Sequence, residues 1–140
     1  MFKINISNKE GKTYKFELEN EELVGKELHD KVKGQDILPS LEGYELEITG
    51  ASDKAGFTAM KEVEGIGLSK ILLPLGKGMH KRSKGVKKKT PHHNKGLRLR
   101  KTVRGKVISP EIIQINMKIL KQGSKPLSEI FSQEKTEEKK

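Results

Sequence analysis

Short runs in which apolar and polar residues alternate constrain the fold of this chain more than any other feature of its sequence. An apolar side chain at every second position puts one face of an extended strand on a core and the other in water. The chain is therefore predicted to be mainly β. The runs that carry this pattern are Phe2, Ile4 and Ile6; Tyr14, Phe16 and Leu18; Tyr44, Leu46 and Ile48; and Ile113, Ile115, Met117 and Ile119.

The segments between these runs predict further strands and turns. Gly11 lies in a short polar turn that would join the first two strands into a hairpin. The third run passes into a loop over 48–57 that is rich in glycine and polar residues. A further strand is expected near 66–73, buried on both faces, and another begins with Val103 and Val107.

One helix is predicted between the hairpin and the third strand. Val24, Leu28 and Val32 repeat at helical spacing behind Asn20, a residue that caps helices well, and Gly34 would end the helix. A single helical turn near the C-terminus is expected to pack on the core through three apolar side chains, those of Leu127, Ile130 and Phe131.

These elements predict a mainly β domain with minor α content. Antiparallel strands that must bury one face in a short chain usually close into a small barrel. We therefore expect a small antiparallel, barrel-like domain over 1–131 with one main helix. A long basic loop over 77–106, called the basic arm below, would lie outside the core, and the polar tail over 132–140 would be disordered.

Positive charge is concentrated in the basic arm. The whole chain has 29 Lys and Arg and 19 Asp and Glu, a net charge of +10. The basic arm holds nine lysines, four arginines and no acidic residue, whereas residues 1–76 have a net charge of −4. Like charges at this density repel each other unless a polyanion neutralises them. The arm is therefore interpreted as a polyanion-binding segment, and a solvated flexible loop is the alternative.

The composition of the basic arm favours nucleic acid as that polyanion. A membrane surface would require an amphipathic helix, but glycines interrupt this segment. An acidic protein partner would normally be met by apolar anchors among the charges. The arm has no aromatic residue on which bases could stack. This composition indicates phosphate contacts with a folded, A-form RNA rather than readout of its sequence.

Specific contacts are assigned to the cations and histidines of the arm. Arg98, Arg100 and Arg104 lie at even positions and alternate with Leu97 and Leu99, so in an extended strand the arginines would face RNA and the leucines the core. The residues predicted to bind RNA are Lys77, His80, Lys81, Arg82, Lys84, Lys87, Lys88, Lys89, His92, Lys95, Arg98, Arg100, Lys101 and Arg104.

Other chemistry receives little support from the sequence. The chain has no cysteine, and the arm that carries the His92-His93 pair has no carboxylate, so we expect no metal and no cofactor. Asp53 and Lys54 are a conceivable catalytic pair, although an aspartate in such a loop usually makes a local turn hydrogen bond. No apolar run is long enough to span a bilayer and no secretory signal is visible, which predicts a cytoplasmic protein.

Two segments resemble one known family. The segment over 43–63, GYELEITGASDKAGFTAMKEV, is similar to a family loop that reads Gly-Gly-x-Asp-x-x-Gly-Phe-Pro-Met after a strand opening with Gly-Tyr. Ala51 stands where a second glycine is usual, and Thr58-Ala59 replaces a single proline. The segment over 97–123 contains the motif Arg-Lys-Thr-Val-Arg-Gly at 100–105. Together they resemble the S6e family of small-subunit ribosomal proteins, in its short archaeal form.

This resemblance implies a structural component of the small ribosomal subunit with no enzymatic activity and no small-molecule substrate. Its partners would be the ribosomal RNA of that subunit and neighbouring ribosomal proteins. Two alternatives remain open. One is a general nucleic-acid-binding protein acting outside the ribosome, and the other is an RNA-modifying enzyme that uses Asp53.

Overall fold

Seven β-strands make up most of the regular structure in the part of the chain that the structure describes. A computed structural model describes residues 1–19, 22–81, 96–123 and 125–131. The strands are β1 (Phe2–Ser7), β2 (Thr13–Leu18), β3 (Lys31–Lys33), β4 (Glu45–Asp53), β5 (Leu68–Pro74), β6 (Arg98–Arg104) and β7 (Ile112–Lys121). Two 3-10 turns, Gly34–Asp36 and Pro39–Leu41, and a helical turn over 127–131 accompany them. The predicted mainly β class is confirmed.

Five strands form one open, mixed sheet in the order β2-β1-β7-β4-β3. β1 and β2 form the expected hairpin, in which Gly11 adopts a φ of +83° at the turn. β1 pairs in parallel with β7, which requires a long connection between them, and most of the chain lies between these two strands. Because β2 and β3 lie at opposite edges, the sheet does not close. The expected closure into an antiparallel barrel is therefore wrong.

The main core lies on one face of this sheet. Ile4, Ile6, Leu46 and Ile48 are fully buried there, as their alternation predicted. The helical turn over 127–131 packs on the same core, as predicted. Its Phe131 ring stacks on the rings of Tyr14 and Phe16, with ring centroids 5.3 Å apart in each pair.

The predicted helix over 20–34 is wrong within the residues described there, 22–34. Gly25 and His29 have φ values of +87° and +75°, which a right-handed helix does not accept. Their backbone amides bond to other segments instead: the Gly25 amide donates to Ile108 O at 2.9 Å and the His29 amide to Ile48 O at 2.8 Å. The apolar residues at helical spacing are buried by these long-range pairings, and Val32 becomes the centre of β3.

β5 and β6 form a separate antiparallel ribbon with its own small core. A second hydrophobic cluster consists of Met60, Leu73, Met79 and Val103. The strand predicted near 66–73 is present, but its burial on both faces is wrong, since most of its side chains are exposed. Met79 belongs to the basic arm, so the expectation that the arm lies outside the core is wrong at its start, whereas Val103, which was expected to begin a strand of the core, is buried.

β4 continues further than its sequence suggests. The loop expected over 48–57 is strand as far as Asp53, and a register shift between Ile48 and Gly50 accommodates the irregular sequence. This extension carries Asp53 to the start of β7, where it pairs with Ile112. The middle of the basic arm, 82–95, and the tail predicted to be disordered, 132–140, lie outside the described residues.

Candidate nucleic-acid interface

The β5–β6 ribbon has one apolar and one cationic face. Leu73 lies opposite Leu99, and both pack in the second cluster. The other face of β6 carries Arg98 and Arg100, both exposed, opposite Pro74 and Leu72. The predicted alternation of arginines and leucines is therefore confirmed for this part of β6. The ribbon holds the two side chains on its outer face, in the strand that follows 82–95 along the chain.

Arg104 does not share this outward orientation. Its side chain is buried at the end of β6, where Nε donates to Asp53 Oδ2 at 2.9 Å. The same guanidinium forms an ion pair with Glu111 and donates to the backbone oxygen of Ile66 at 3.3 Å. The expectation that Arg104 faces outward with the other two arginines is wrong. The two carboxylate partners of Arg104 come from Asp53, the last residue of β4, and from Glu111, the residue before β7.

Asp53 organises the loop that follows β4. Its Oδ1 accepts a hydrogen bond from the Phe57 amide at 2.8 Å, while Oδ2 accepts from Arg104. Burial alone would raise the pKa of Asp53, but these hydrogen bonds stabilise the carboxylate, so the pKa lies below its ordinary value. The hydrogen bond to Asp53, reinforced by Glu111, raises the pKa of Arg104. One carboxylate oxygen thus accepts a hydrogen bond from the loop and the other from Arg104, in line with the local hydrogen bond expected of such an aspartate.

Lys106, the last residue of the basic arm, is also paired within the protein. Its Nζ lies 3.1 Å from Glu27 Oε2 and 3.0 Å from Glu64 Oε2. Hydrogen bonds to Glu64 and Glu27 raise the pKa of this lysine. Arg104 and Lys106 therefore obtain acidic partners from distant segments, although no acid lies near them in the arm. The outward positive charge of the arm ends at Lys101.

The other predicted contacts are divided between described and undescribed segments. His80, Lys81 and Lys101 are exposed. Lys77 is exposed and its Nζ donates to the backbone oxygen of Thr49 at 3.4 Å, which holds the start of the arm against β4. The remaining predicted residues, Arg82, Lys84, Lys87, Lys88, Lys89, His92 and Lys95, lie outside the described residues.

A groove of about 380 Å³ adjoins the edge of β6. One wall is β6 from Arg100 to Val103, and the opposite wall is the loop over 55–58, which includes Phe57. Nothing in the sequence indicates this arrangement, because Phe57 lies far from the basic arm along the chain. Only the folding of the β4 loop against β6 brings Phe57 into the lining of the same groove as Arg100 and Lys101.

Within 1–19, 22–81, 96–123 and 125–131, no group of three or more potential metal ligands comes together. The described helical segments include none that is long and apolar enough to cross a membrane.

Comparison with known proteins identifies the family. A family model described as ribosomal protein S6e matches residues 2–132. The chain belongs to the ribosomal protein S6e family. Relatives named small ribosomal subunit protein eS6 include those of Methanococcus maripaludis strain C5, 40% identical over 90% of this chain and 92% of the relative, and Nanoarchaeum equitans, 40% identical over 96% and 92%. The relative from Archaeoglobus fulgidus is 37% identical over 94% of this chain and 96% of the relative's length.

The resemblance inferred from the two motifs is thus confirmed. In this S6e chain, the departure at Thr58-Ala59 has a structural consequence. The Ala59 amide donates to Ala51 O at 2.9 Å, a bond that a proline could not make because it has no N–H. Thr58 O in turn accepts from the Arg104 amide at 3.0 Å, so this part of the loop is attached to both β4 and β6.

Proposed function

We propose that this chain is a structural constituent of the small ribosomal subunit and that it binds ribosomal RNA, mainly through phosphate contacts of the basic arm. Membership of the S6e family supports the first part. The observation that carries the second is the outer face of the β5–β6 ribbon, where Arg98 and Arg100 are exposed next to 82–95.

The ribbon suits RNA-backbone binding for a physical reason. Its apolar face is fixed by Leu73, Leu99 and Val103, so the arginines opposite are held at defined positions on a rigid element. Each guanidinium can form two parallel hydrogen bonds to phosphate oxygens. Every phosphate that is neutralised releases counterions, which favours binding at low salt.

The proposed contacts extend along the arm. We assign RNA contacts to Lys77, His80, Lys81, Arg98, Arg100 and Lys101, and, outside the described residues, to Arg82, Lys84, Lys87, Lys88, Lys89, His92 and Lys95. Arg104 is assigned a different role. Its guanidinium is engaged by Asp53 and Glu111, and it supports β6 from within.

The proposal includes no catalytic step, cofactor or small-molecule substrate. It locates the protein in the cytoplasm with the ribosome, next to other proteins of the subunit. It treats 1–131 as one domain that presents the arm to RNA.

A charge-reversal pair tests the arm. The double variant Arg98→Glu/Arg100→Glu is compared with Lys12→Glu/Lys15→Glu, whose side chains are exposed in the β1–β2 hairpin. Both change the net charge equally, and both spare Arg104. Fluorescence anisotropy with transcribed small-subunit rRNA should give a loss of at least about tenfold for the first variant and no more than about twofold for the second. Equal losses would show that only total charge matters and would contradict the arm assignment.

Two further measurements separate the ribosomal role from general nucleic-acid binding. In sucrose gradients of cell extract, the protein should sediment with small subunits and remain with them after a moderate salt wash. The purified protein should prefer small-subunit rRNA over duplex DNA at matched salt. Comparable affinity for both, with no sedimentation alongside subunits, would favour a nucleic-acid-binding protein that acts outside the ribosome.

A further inference from the structure

Phe57 is partly buried but belongs to neither hydrophobic cluster of the described structure. It lines the groove beside β6 instead. Tyr14 and Phe16, which are also partly buried, pack against the main core and stack on Phe131. The position of Phe57 is therefore not explained by the packing of either core.

The wall opposite Phe57 is cationic. Arg100 and Lys101 both line the groove, and none of its described lining residues is acidic. The nearest carboxylate of the loop, that of Asp53, is already engaged by Arg104 and by the Phe57 amide. An anionic group in the groove would thus meet positive charge that no lining carboxylate offsets.

The loop that carries Phe57 is anchored on both sides. On one side, Asp53 binds the Phe57 amide at 2.8 Å. On the other, Thr58 and Met60 exchange backbone hydrogen bonds with Arg104, at 3.0 Å each. Gly56, between these anchors, has a φ of +85° and no atom within 4 Å of where a Cβ would lie. The backbone on both sides of Phe57 is therefore fixed, and there is free space next to Gly56 at the loop tip.

We propose that this groove binds a single unpaired nucleotide of an RNA, with its base against the Phe57 ring and its phosphate on Arg100 and Lys101. The inference rests on the proposed RNA-binding function and adds a second mode to it. Phosphate contacts of the arm do not distinguish paired from unpaired nucleotides, whereas stacking on an aromatic ring requires a base that has left the helix. The groove volume lies near the lower end for small-ligand sites, which suits one nucleotide.

The test uses the full chain and two RNA probes, a perfect duplex and the same duplex with one bulged adenosine, at matched salt. The wild-type protein should bind the bulged RNA about tenfold more tightly, the range that stacking of one base on an aromatic ring provides. Phe57→Leu should abolish this preference and leave the affinity for the perfect duplex unchanged. Leu72→Ala, on the same ribbon but outside the groove lining, should change neither affinity.

Phe57→Trp provides a direct readout, because the chain has no other tryptophan. It should keep the preference, and its emission should be quenched by the bulged RNA but not by the perfect duplex. Retention of the preference in Phe57→Leu, or unchanged tryptophan emission, would overturn the proposal. So would displacement of the bulged RNA by a deca-glutamate peptide that itself shifts the emission, since the groove would then fit an acidic protein segment.

The two proposals fail in distinguishable ways. Salt-dependent binding of both RNAs with equal affinity would overturn the nucleotide site and leave the basic arm intact. Failure to bind either RNA would overturn both.

Discussion

At the scale of single residues, the charge of Arg104 has a structural role that its basic sequence neighbours do not suggest. Arg104 lies in a motif of basic residues, yet the residue is only 9% exposed, and Asp53 and Glu111 neutralise its guanidinium. Removing Asp53 leaves the buried guanidinium with only the exposed carboxylate of Glu111 as an ion-pair partner, which is costly for a buried charge. Substitutions of Asp53 and Arg104 should therefore act on folding before they act on RNA binding.

Asp53→Asn tests this role through pH. Because the folded pKa of Asp53 is lowered, its contribution to stability is present above the unfolded pKa of about 3.9 and is lost as the pH falls through the folded value. The variant should lose about 3 kcal/mol of unfolding free energy at pH 7 in urea titrations, and its loss relative to wild type should shrink towards pH 2. Glu17→Gln, in the exposed pair with Lys3, should cost less than about 1 kcal/mol. An equal cost for the two variants would contradict the assigned role.

Gly105 and Gly67 provide a matched pair at the same contact. The Gly105 amide donates to Gly67 O at 3.0 Å, but a Cβ on Gly105 would lie 1.9 Å from Gly65 O, whereas one on Gly67 would meet nothing within 4 Å. Gly105→Ala should destabilise the fold by about 2–3 kcal/mol, because the new methyl group would clash with the Gly65 carbonyl and force the backbone there to move. Gly67→Ala should remain within about 0.5 kcal/mol of wild type. Thermal or urea unfolding measures both, and similar values would refute the close approach.

At the scale of elements, the β5–β6 ribbon shows how two faces of one hairpin divide between packing and exposure. Leu72 and Leu73 are adjacent in β5, yet Leu72 is 48% exposed and Leu73 is 5% exposed. The ribbon depends on its small cluster, since it does not join the five-stranded sheet. Loss of an apolar side chain from that cluster should loosen the element that positions Arg98 and Arg100.

Leu73→Ala and Leu72→Ala compare the contributions of the buried and the exposed face of the ribbon to stability. Removing the buried side chain should cost about 2–5 kcal/mol of unfolding free energy, because it leaves a cavity among Met60, Met79 and Val103. Removing the exposed one should cost less than about 1 kcal/mol. Hydrogen exchange of the β6 amides should accelerate in the first variant alone, and acceleration in both would mean that the outer leucine also supports the ribbon.

At the scale of the whole molecule, positive charge is separated from the folded body. Residues 1–76 are net negative, and two of their acids, Glu27 and Glu64, neutralise Lys106. The basic arm retains eleven cations without counting Arg104 and Lys106. Such a distribution favours steep salt dependence of RNA binding.

Three neighbouring lysines test this dependence. Affinity falls as salt rises, so the slope of log affinity against log salt is negative. Replacing Lys87, Lys88 and Lys89 with glutamine should reduce the magnitude of this slope by about 3, since each lysine on a phosphate contributes about 1. The same replacement at Lys135, Lys139 and Lys140, in the tail, should lower it by less than 1. Anisotropy titrations between about 50 and 200 mM salt measure both slopes. Equal changes for the two variants would mean that the tail contacts RNA as much as the arm does and would contradict the arm assignment.

The sequence by itself determined the features that depend on local pattern. Alternation identified β1, β2, β4 and β7, because a period of two reports burial of one face whatever lies across the strand. The charge of the basic arm and the two family motifs could also be identified from the sequence, since each is a property of contiguous residues. The face of β6 that carries Arg98 and Arg100 followed from the same alternation.

Only the tertiary structure decided the features that depend on distant partners. Bonds from 23–29 to 106–108 and β4 replaced the predicted helix, and a parallel β1–β7 pair left the sheet open. Ion pairs with Asp53 and Glu111 keep the Arg104 side chain buried. The β4 loop and β6 together place Phe57 and Arg100 in the lining of one groove. Periodicity and local charge do not encode which segments meet, because burial, ion pairing and strand pairing are satisfied between residues that are neighbours only after folding.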